Sequence, residues 1–170
     1  MSLAYITGGT KGIGYAIAEA LLAQNINVVF TGRTATACQE AADRLNSSSS
    51  SAQALGLEAD VRDYAAQEAV IQKAKDTFGA APDIVIANAG VGHFAPIQEL
   101  TAEQWQETID VNLTGVFNTL KVSLDGLIAA EGYFLTIASL AGTNFFAKGG
   151  AYNASKFGLV GFTQAVMLDL

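Results

Sequence analysis

Thr7-Gly8-Gly9-Thr10-Lys11-Gly12-Ile13-Gly14 stands between a short apolar run, residues 3–7, and a longer one, about residues 13–22. The first has the length and composition of a buried strand, the second those of a helix. Strand, glycine-rich turn and helix in this order make the opening unit of a parallel α/β sheet. The glycines at 8, 12 and 14 give a G-x-x-x-G-x-G spacing. They let the backbone turn tightly and approach a ligand, while the free N–H groups at the helix start favour negative charge. A pyrophosphate suits such a turn; an ordinary glycine-rich loop has the same composition.

Outward from this unit the pattern repeats. Residues 26–31, 54–59, 83–87 and 132–138 are further strand-like runs. Helix-forming stretches at 34–45, about 63–78 and 101 to about 127 alternate with them, and Thr101-Ala102-Glu103-Gln104 carries a capping-box pattern. The serine run 47–51 reads as a flexible polar connection without chemistry. At 170 residues the chain is expected to form a single domain. Its hydrophobic fraction of 51% and mean hydropathy of +0.31 suit a sheet buried on both faces.

Bulk properties exclude several functions. A net charge of -7 argues against nucleic acid as a partner. No apolar run reaches the roughly 18 uninterrupted residues of a membrane span. Residues 1–6 enter a strand directly, which predicts a cytoplasmic protein. One cysteine, Cys38, and one histidine, His93, make neither a disulfide nor a His/Cys metal cage, so no metal is expected.

The segment Gly32-Arg33-Thr34 follows the second strand, where such folds meet the adenosine ribose of a dinucleotide. No Asp or Glu lies between Asn25 and Gln39 to accept from a 2'-hydroxyl, whereas Arg33 and Lys11 suit a 2'-phosphate. NADP(H) is therefore expected over NAD(H). Asp60 fits two roles, acceptor for the adenine amine or cap of the next helix. Asn88-Ala89-Gly90 ends the fourth strand with small residues that let a flat ligand pass close, although Asn88 equally suits a tie between strand ends. Asn112 sits mid-helix among apolar residues, where a buried amide needs partners; it is read as structural or as bending the helix and holding a water. Ser139 closes the fifth strand. Phe94, Phe145 and Phe146 suit an apolar pocket wall, a core or an interface.

Tyr152 and Lys156 then fall four residues apart in a helix-forming run, on one helix face. A neighbouring ammonium favours the phenolate, drawing a group of reference pKa about 10 toward working pH. The same spacing also serves a tyrosine packed on a lysine stem.

Taken together, the turn from Gly8 to Gly14, Asp60-Val61, Ala87-Asn88-Ala89-Gly90, Ser139, Tyr152 and Lys156 resemble the short-chain dehydrogenase/reductase family over residues 3–170. The turn looks like its TGxxxGIG motif, and Asp60-Val61 like its adenine-binding pair. Ala87 stands where the family's NNAG segment has its first Asn. The resemblance implies an α/β, Rossmann-like, doubly wound parallel sheet of order 3-2-1-4-5. It implies cofactor contacts from Gly8, Thr10, Lys11, Gly12, Ile13, Gly14, Arg33, Thr34, Asp60, Val61, Asn88, Ala89, Gly90, Tyr152 and Lys156. It implies a catalytic set of Asn112, Ser139, Tyr152 and Lys156. It suggests a homodimer or homotetramer packed through the helices after residues 101 and 151, and a small carbonyl or alcohol substrate. Members of the family continue through two further strands, a lid and a nicotinamide-contacting loop. With those final strands missing after Leu170, little or no reductase activity is expected from this chain. A non-catalytic NADP(H)-binding regulatory protein is the alternative.

Overall fold

The computed structural model describes residues 2–47 and 51–170, so most of the serine run lies outside the described residues. Five strands, β1 (Leu3–Ile6), β2 (Asn27–Gly32), β3 (Ala54–Glu58), β4 (Ile84–Ala87) and β5 (Tyr133–Thr136), form one parallel sheet ordered β3-β2-β1-β4-β5. This is the expected Rossmann-like order. Among the described residues, six α-helices connect or follow them: α1 (Gly12–Ala23), α2 (Ala35–Asn46), α3 (Tyr64–Phe78), α4 (Ala102–Ile109), α5 (Gly115–Ala130) and α6 (Gly150–Asp169).

The strands alternate because both faces are covered. Ala4 and Ile6 of β1, with Val28 and Phe30 of β2, pack against α1 and α2 through Ala18, Leu22, Ala41 and Leu45. Leu3, Tyr5 and Val29 point the other way, onto Val70, Ile71 and Ala74 of α3 and Leu120 and Leu127 of α5. Each fully buried large side chain on these faces stabilises the fold by about 1.5–3 kcal/mol relative to exposure. At the border strand β5 the alternation is lopsided, with Tyr133 and Leu135 exposed while Phe134 packs inward.

Local chemistry sets the helix ends. Thr34 caps α2 through Ala37 N, Asp63 caps α3 through Ala66 N, and Thr101 with Gln104 forms a complete capping box on α4. Gly79, at φ +76°, ends α3 in the left-handed region. Asp63, not Asp60, is therefore the cap of α3.

The predicted single helix from 101 to about 127 is divided. Asp110–Thr114 form a π-helical turn in which Gly115 N donates to Asp110 O, five residues back. Its cause lies in Asn112, which is 1% exposed. Its Oδ1 accepts from Val91 N at 2.8 Å, and its Nδ2 donates to Val91 O at 2.8 Å, as a neighbouring strand would. Holding that amide against the loop after β4 widens the helix by one residue.

Candidate functional site

Two cavities open along the carboxyl ends of the strands, where open α/β sheets bind ligands. The first, of about 420 Å³, is lined by Gly8, Thr10, Lys11, Gly12 and Ile13 of the turn, by Arg33, and by Asp60, Val61, Asn88, Ala89 and Gly90. The second, of about 470 Å³, is lined by Gly92, Phe94, Ile137, Ser139, Tyr152 and Lys156. Ile13, Asn88, Gly90 and Val91 line both, so the two form one continuous groove. Gly14 and Thr34 are the two candidate cofactor residues that line neither cavity.

The turn is built to approach a ligand closely. Gly8 and Gly12 have φ of +69° and +60°. A Cβ on Gly14 would lie 2.5 Å from both Gly8 O and Asn88 Nδ2, so helix, turn and β4 meet here without side chains. Asn88 ties the strand ends: Nδ2 donates to Thr7 O at 2.9 Å and Gly8 O at 3.0 Å, and its backbone N donates to Thr7 Oγ1. It lines the groove and serves as the strand tie at once. α1 lacks the side-chain cap that α2, α3 and α4 carry, and its first turn has no acidic residue. Its first N–H groups are thus left for an anion, and exposed Lys11 and Arg33 line the same cavity. These residues fit a dinucleotide phosphate.

Asp60 is engaged by Arg62. The Arg62 side chain donates to it through Nε at 2.9 and 3.1 Å and through Nη2 at 2.5 Å, and Arg62 N donates to Oδ1. Those hydrogen bonds hold the Asp60 carboxyl below the usual carboxylate range, with Arg33 adding its charge. Asp60 lies on the cavity wall, but an adenine amine would have to share it with Arg62. His93 likewise has a partner, Glu107 Oε2 at 2.7 Å, across the loop to α4.

In the second cavity, Lys156 is 5% exposed and donates through Nζ to Ile137 O at 2.7 Å. Burial pushes its pKa below the ordinary lysine range. Nζ lies 5.8 Å from the Tyr152 ring centroid, as expected for a pair one helical turn apart. Ser139 Oγ accepts from Ala141 N at 3.1 Å, so its own hydrogen remains to donate. Asn112 Nδ2 also reaches Ser155 Oγ, which donates to Tyr152 O and so joins the π-helical turn to α6. Both amide hydrogens of Asn112 are used within the protein. Phe94 stacks obliquely on Tyr152 at 5.4 Å and on Phe146 at 6.0 Å, giving the apolar wall; Phe145 is exposed.

Three residues that hold this site were not singled out in the sequence. Asn153 donates to Ala141 O and Asn144 O and accepts from Phe146 N, fixing the loop before α6. Ser155 acts through Asn112, a partner on another element, whereas Arg62 acts through Asp60 two positions earlier, and that adjacency was the one readable signal.

A short chain dehydrogenase family model matches residues 2–170. D-beta-hydroxybutyrate dehydrogenase of Cupriavidus necator is 35% identical over 98% of this chain, which spans 64% of that protein. The structure of a 3-ketoacyl-ACP reductase from Sinorhizobium meliloti superimposes with a TM-score of 0.91 at 39% identity, covering 99% of this chain and 66% of that one. An alcohol dehydrogenase from the archaeon Thermococcus sibiricus, complexed with 5-hydroxy-NADP, gives a TM-score of 0.93 at 31% identity, covering 99% and 71%. None of the described helices is long and apolar enough to cross a membrane.

Proposed function

The chain belongs to the short-chain dehydrogenase family, and from that premise we propose that it forms the cofactor-binding and catalytic part of an NADP(H)-preferring oxidoreductase. It interconverts a ketone, a 3-oxoacyl compound or similar carbonyl, and a secondary alcohol. The observation that carries the proposal is the continuity of the groove, which joins the anion-receptive turn of α1 to Ser139, Tyr152 and Lys156. Two further observations support it: the relatives that share the fold are oxidoreductases, and Lys11 and Arg33 favour a 2'-phosphate.

When bound, the nicotinamide supplies or accepts the hydride. The phosphates would be held by Gly8, Thr10, Lys11, Gly12, Ile13 and Gly14, the 2'-phosphate by Arg33 and Thr34, and the adenine by Asp60 and Val61. Asn88, Ala89 and Gly90 keep the path of the ligand free of bulk. Tyr152 gives a proton to the carbonyl oxygen, or takes it back in the oxidising direction. Lys156 places a positive charge beside the phenol, and the Ile137 carbonyl fixes where that charge sits. Ser139 donates to the substrate oxygen. Asn112 sets the width of the helix turn behind Tyr152 through Ser155 and serves as the positioning member of the set.

Self-association as a homodimer or homotetramer is part of the same proposal. Exposed Trp105 on α4, Phe117 on α5 and Phe157 on α6 support it. Gel filtration reads the oligomeric state directly.

The experiment for the activity is NADPH oxidation by the 170-residue chain against 3-oxoacyl thioesters and simple ketones. Carbonyl-dependent oxidation is expected, against the little or no activity read from the sequence, because the joined groove already brings the turn of α1 together with Ser139, Tyr152 and Lys156. NADPH binding with no turnover of any carbonyl would replace it by the non-catalytic reading for this chain.

A further inference from the structure

The cofactor-selecting region holds an acid that no inspection of β2 and its following loop could find. β3 runs parallel to β2 with Glu58 in register with Gly32. The two strands continue to be tied beyond that pair, since Ala59 N donates to Gly32 O at 3.0 Å. This brings Glu58 beside the segment Gly32-Arg33-Thr34-Ala35, and its Oε2 accepts from Ala35 N, the first residue of α2, at 3.0 Å. Thr34 meanwhile caps Ala37 N with its own hydroxyl. The first turn of α2 therefore already carries a carboxylate, next to the arginine that the proposed function assigns to a 2'-phosphate.

We propose that Glu58 is a specificity-determining residue that holds down the preference for NADP(H) over NAD(H). The proposal rests on the dinucleotide reading above. A 2'-phosphate approaching Arg33 and the start of α2 meets a like charge, and the Ala35 N–H it could accept from is already taken. A 2'-hydroxyl meets no such repulsion and can donate to the same carboxylate. Arg33 and Glu58 thus pull the selectivity in opposite directions from neighbouring strands. Glu58 is solvent-exposed, so its influence is moderate and falls with salt.

The test is fluorescence titration of the 170-residue chain with NADP+ and with NAD+ at low, fixed ionic strength, for wild type, Glu58→Gln and Arg33→Ala. The glutamine keeps an oxygen for Ala35 N, so the start of α2 stays capped while the charge is removed. Glu58→Gln is expected to tighten NADP+ about three- to tenfold without tightening NAD+. A change of less than about twofold in the ratio of the two dissociation constants would overturn the proposal. A parallel shift of both constants would also overturn it, since that marks a purely structural residue. Arg33→Ala reports separately on the 2'-phosphate reading: loss of NADP+ affinity with NAD+ retained supports it, and an unchanged ratio overturns it whatever Glu58 does. If wild type binds neither dinucleotide, the underlying reading and the proposal both fall.

Discussion

Replacing Gly14 by alanine tests whether the meeting of turn, helix and β4 depends on close packing. The new Cβ would sit 2.5 Å from the carbonyl oxygen of Gly8 and 2.5 Å from Asn88 Nδ2, both well inside ordinary contact. Gly8 O is backbone and can yield only if the turn shifts, at a typical overpacking cost of about 1–3 kcal/mol. Asn88 must swing away as well, giving up its bonds to Thr7 O and Gly8 O, each worth about 0.5–1.5 kcal/mol. Alanine returns about 1 kcal/mol through its better helix propensity. The net loss is about 1–5 kcal/mol, which at a urea slope of about 2 kcal/mol/M lowers the unfolding midpoint by about 0.5–2.5 M. Gly12→Ala is the control. It has φ +60° but nothing within 4 Å of its Cβ, so only left-handed strain of about 1 kcal/mol is incurred. A wild-type midpoint for Gly14→Ala, or a smaller loss than for Gly12→Ala, would refute the steric reasoning.

Tyr152→Phe should abolish carbonyl-dependent NADPH oxidation while leaving NADPH affinity within about twofold, since only the transferable proton is removed; substantial residual turnover would remove Tyr152 from its role. Tyr5 is fully buried, and burial holds its phenol protonated well above the ordinary tyrosine value of 10.0. The folded chain then binds more protons than the unfolded one above pH 10, so stability is complete below that value and falls as pH rises past it. Urea midpoints from pH 9 to 11 should show the decline. Tyr5→Phe should flatten it, with Gln67 Oε1 still accepting from Thr119. Thr101→Ala removes the acceptor for Gln104 N from the capping box and should cost about 1 kcal/mol in thermal or urea unfolding, with no change in NADPH affinity.

The fold was legible because its strands and helices announce themselves locally: all five strands fall within two residues of the stretches read from hydrophobic runs. The divided helix was not legible in the same way. Residues 101–127 have an unbroken helical pattern, and what inserts the extra residue is a pair of hydrogen bonds from Asn112 to Val91, 21 positions earlier. The buried amide was visible, but not the partner that decides its effect. Asp60 shows the same limit, since sequence offers it either as a cap or as an acceptor, and the structure gives the cap to Asp63 and binds Asp60 to Arg62. Glu58 is the sharpest case. A search for an acid within the β2 segment finds none, while parallel pairing with β3 delivers one from 23 residues away. Residues that define the groove by backbone and spacing are readable; those that tune its charge arrive through strand register.

The order of the sheet also has a consequence for how the chain is made. β1 lies at the centre, and one of its two neighbours, β2, follows it closely, but the other, β4, does not. Asn88, which clasps the turn after β1, is 81 residues downstream of Thr7. At a ribosomal rate of about 5–20 residues per second, roughly 4–16 s pass before it emerges. During that interval one flank of β1 has no partner strand, and the Thr7 and Gly8 carbonyls lack their clasp. A nascent chain of this design cannot complete its anion cradle early, and its apolar central strand is open to a chaperone until β4 arrives.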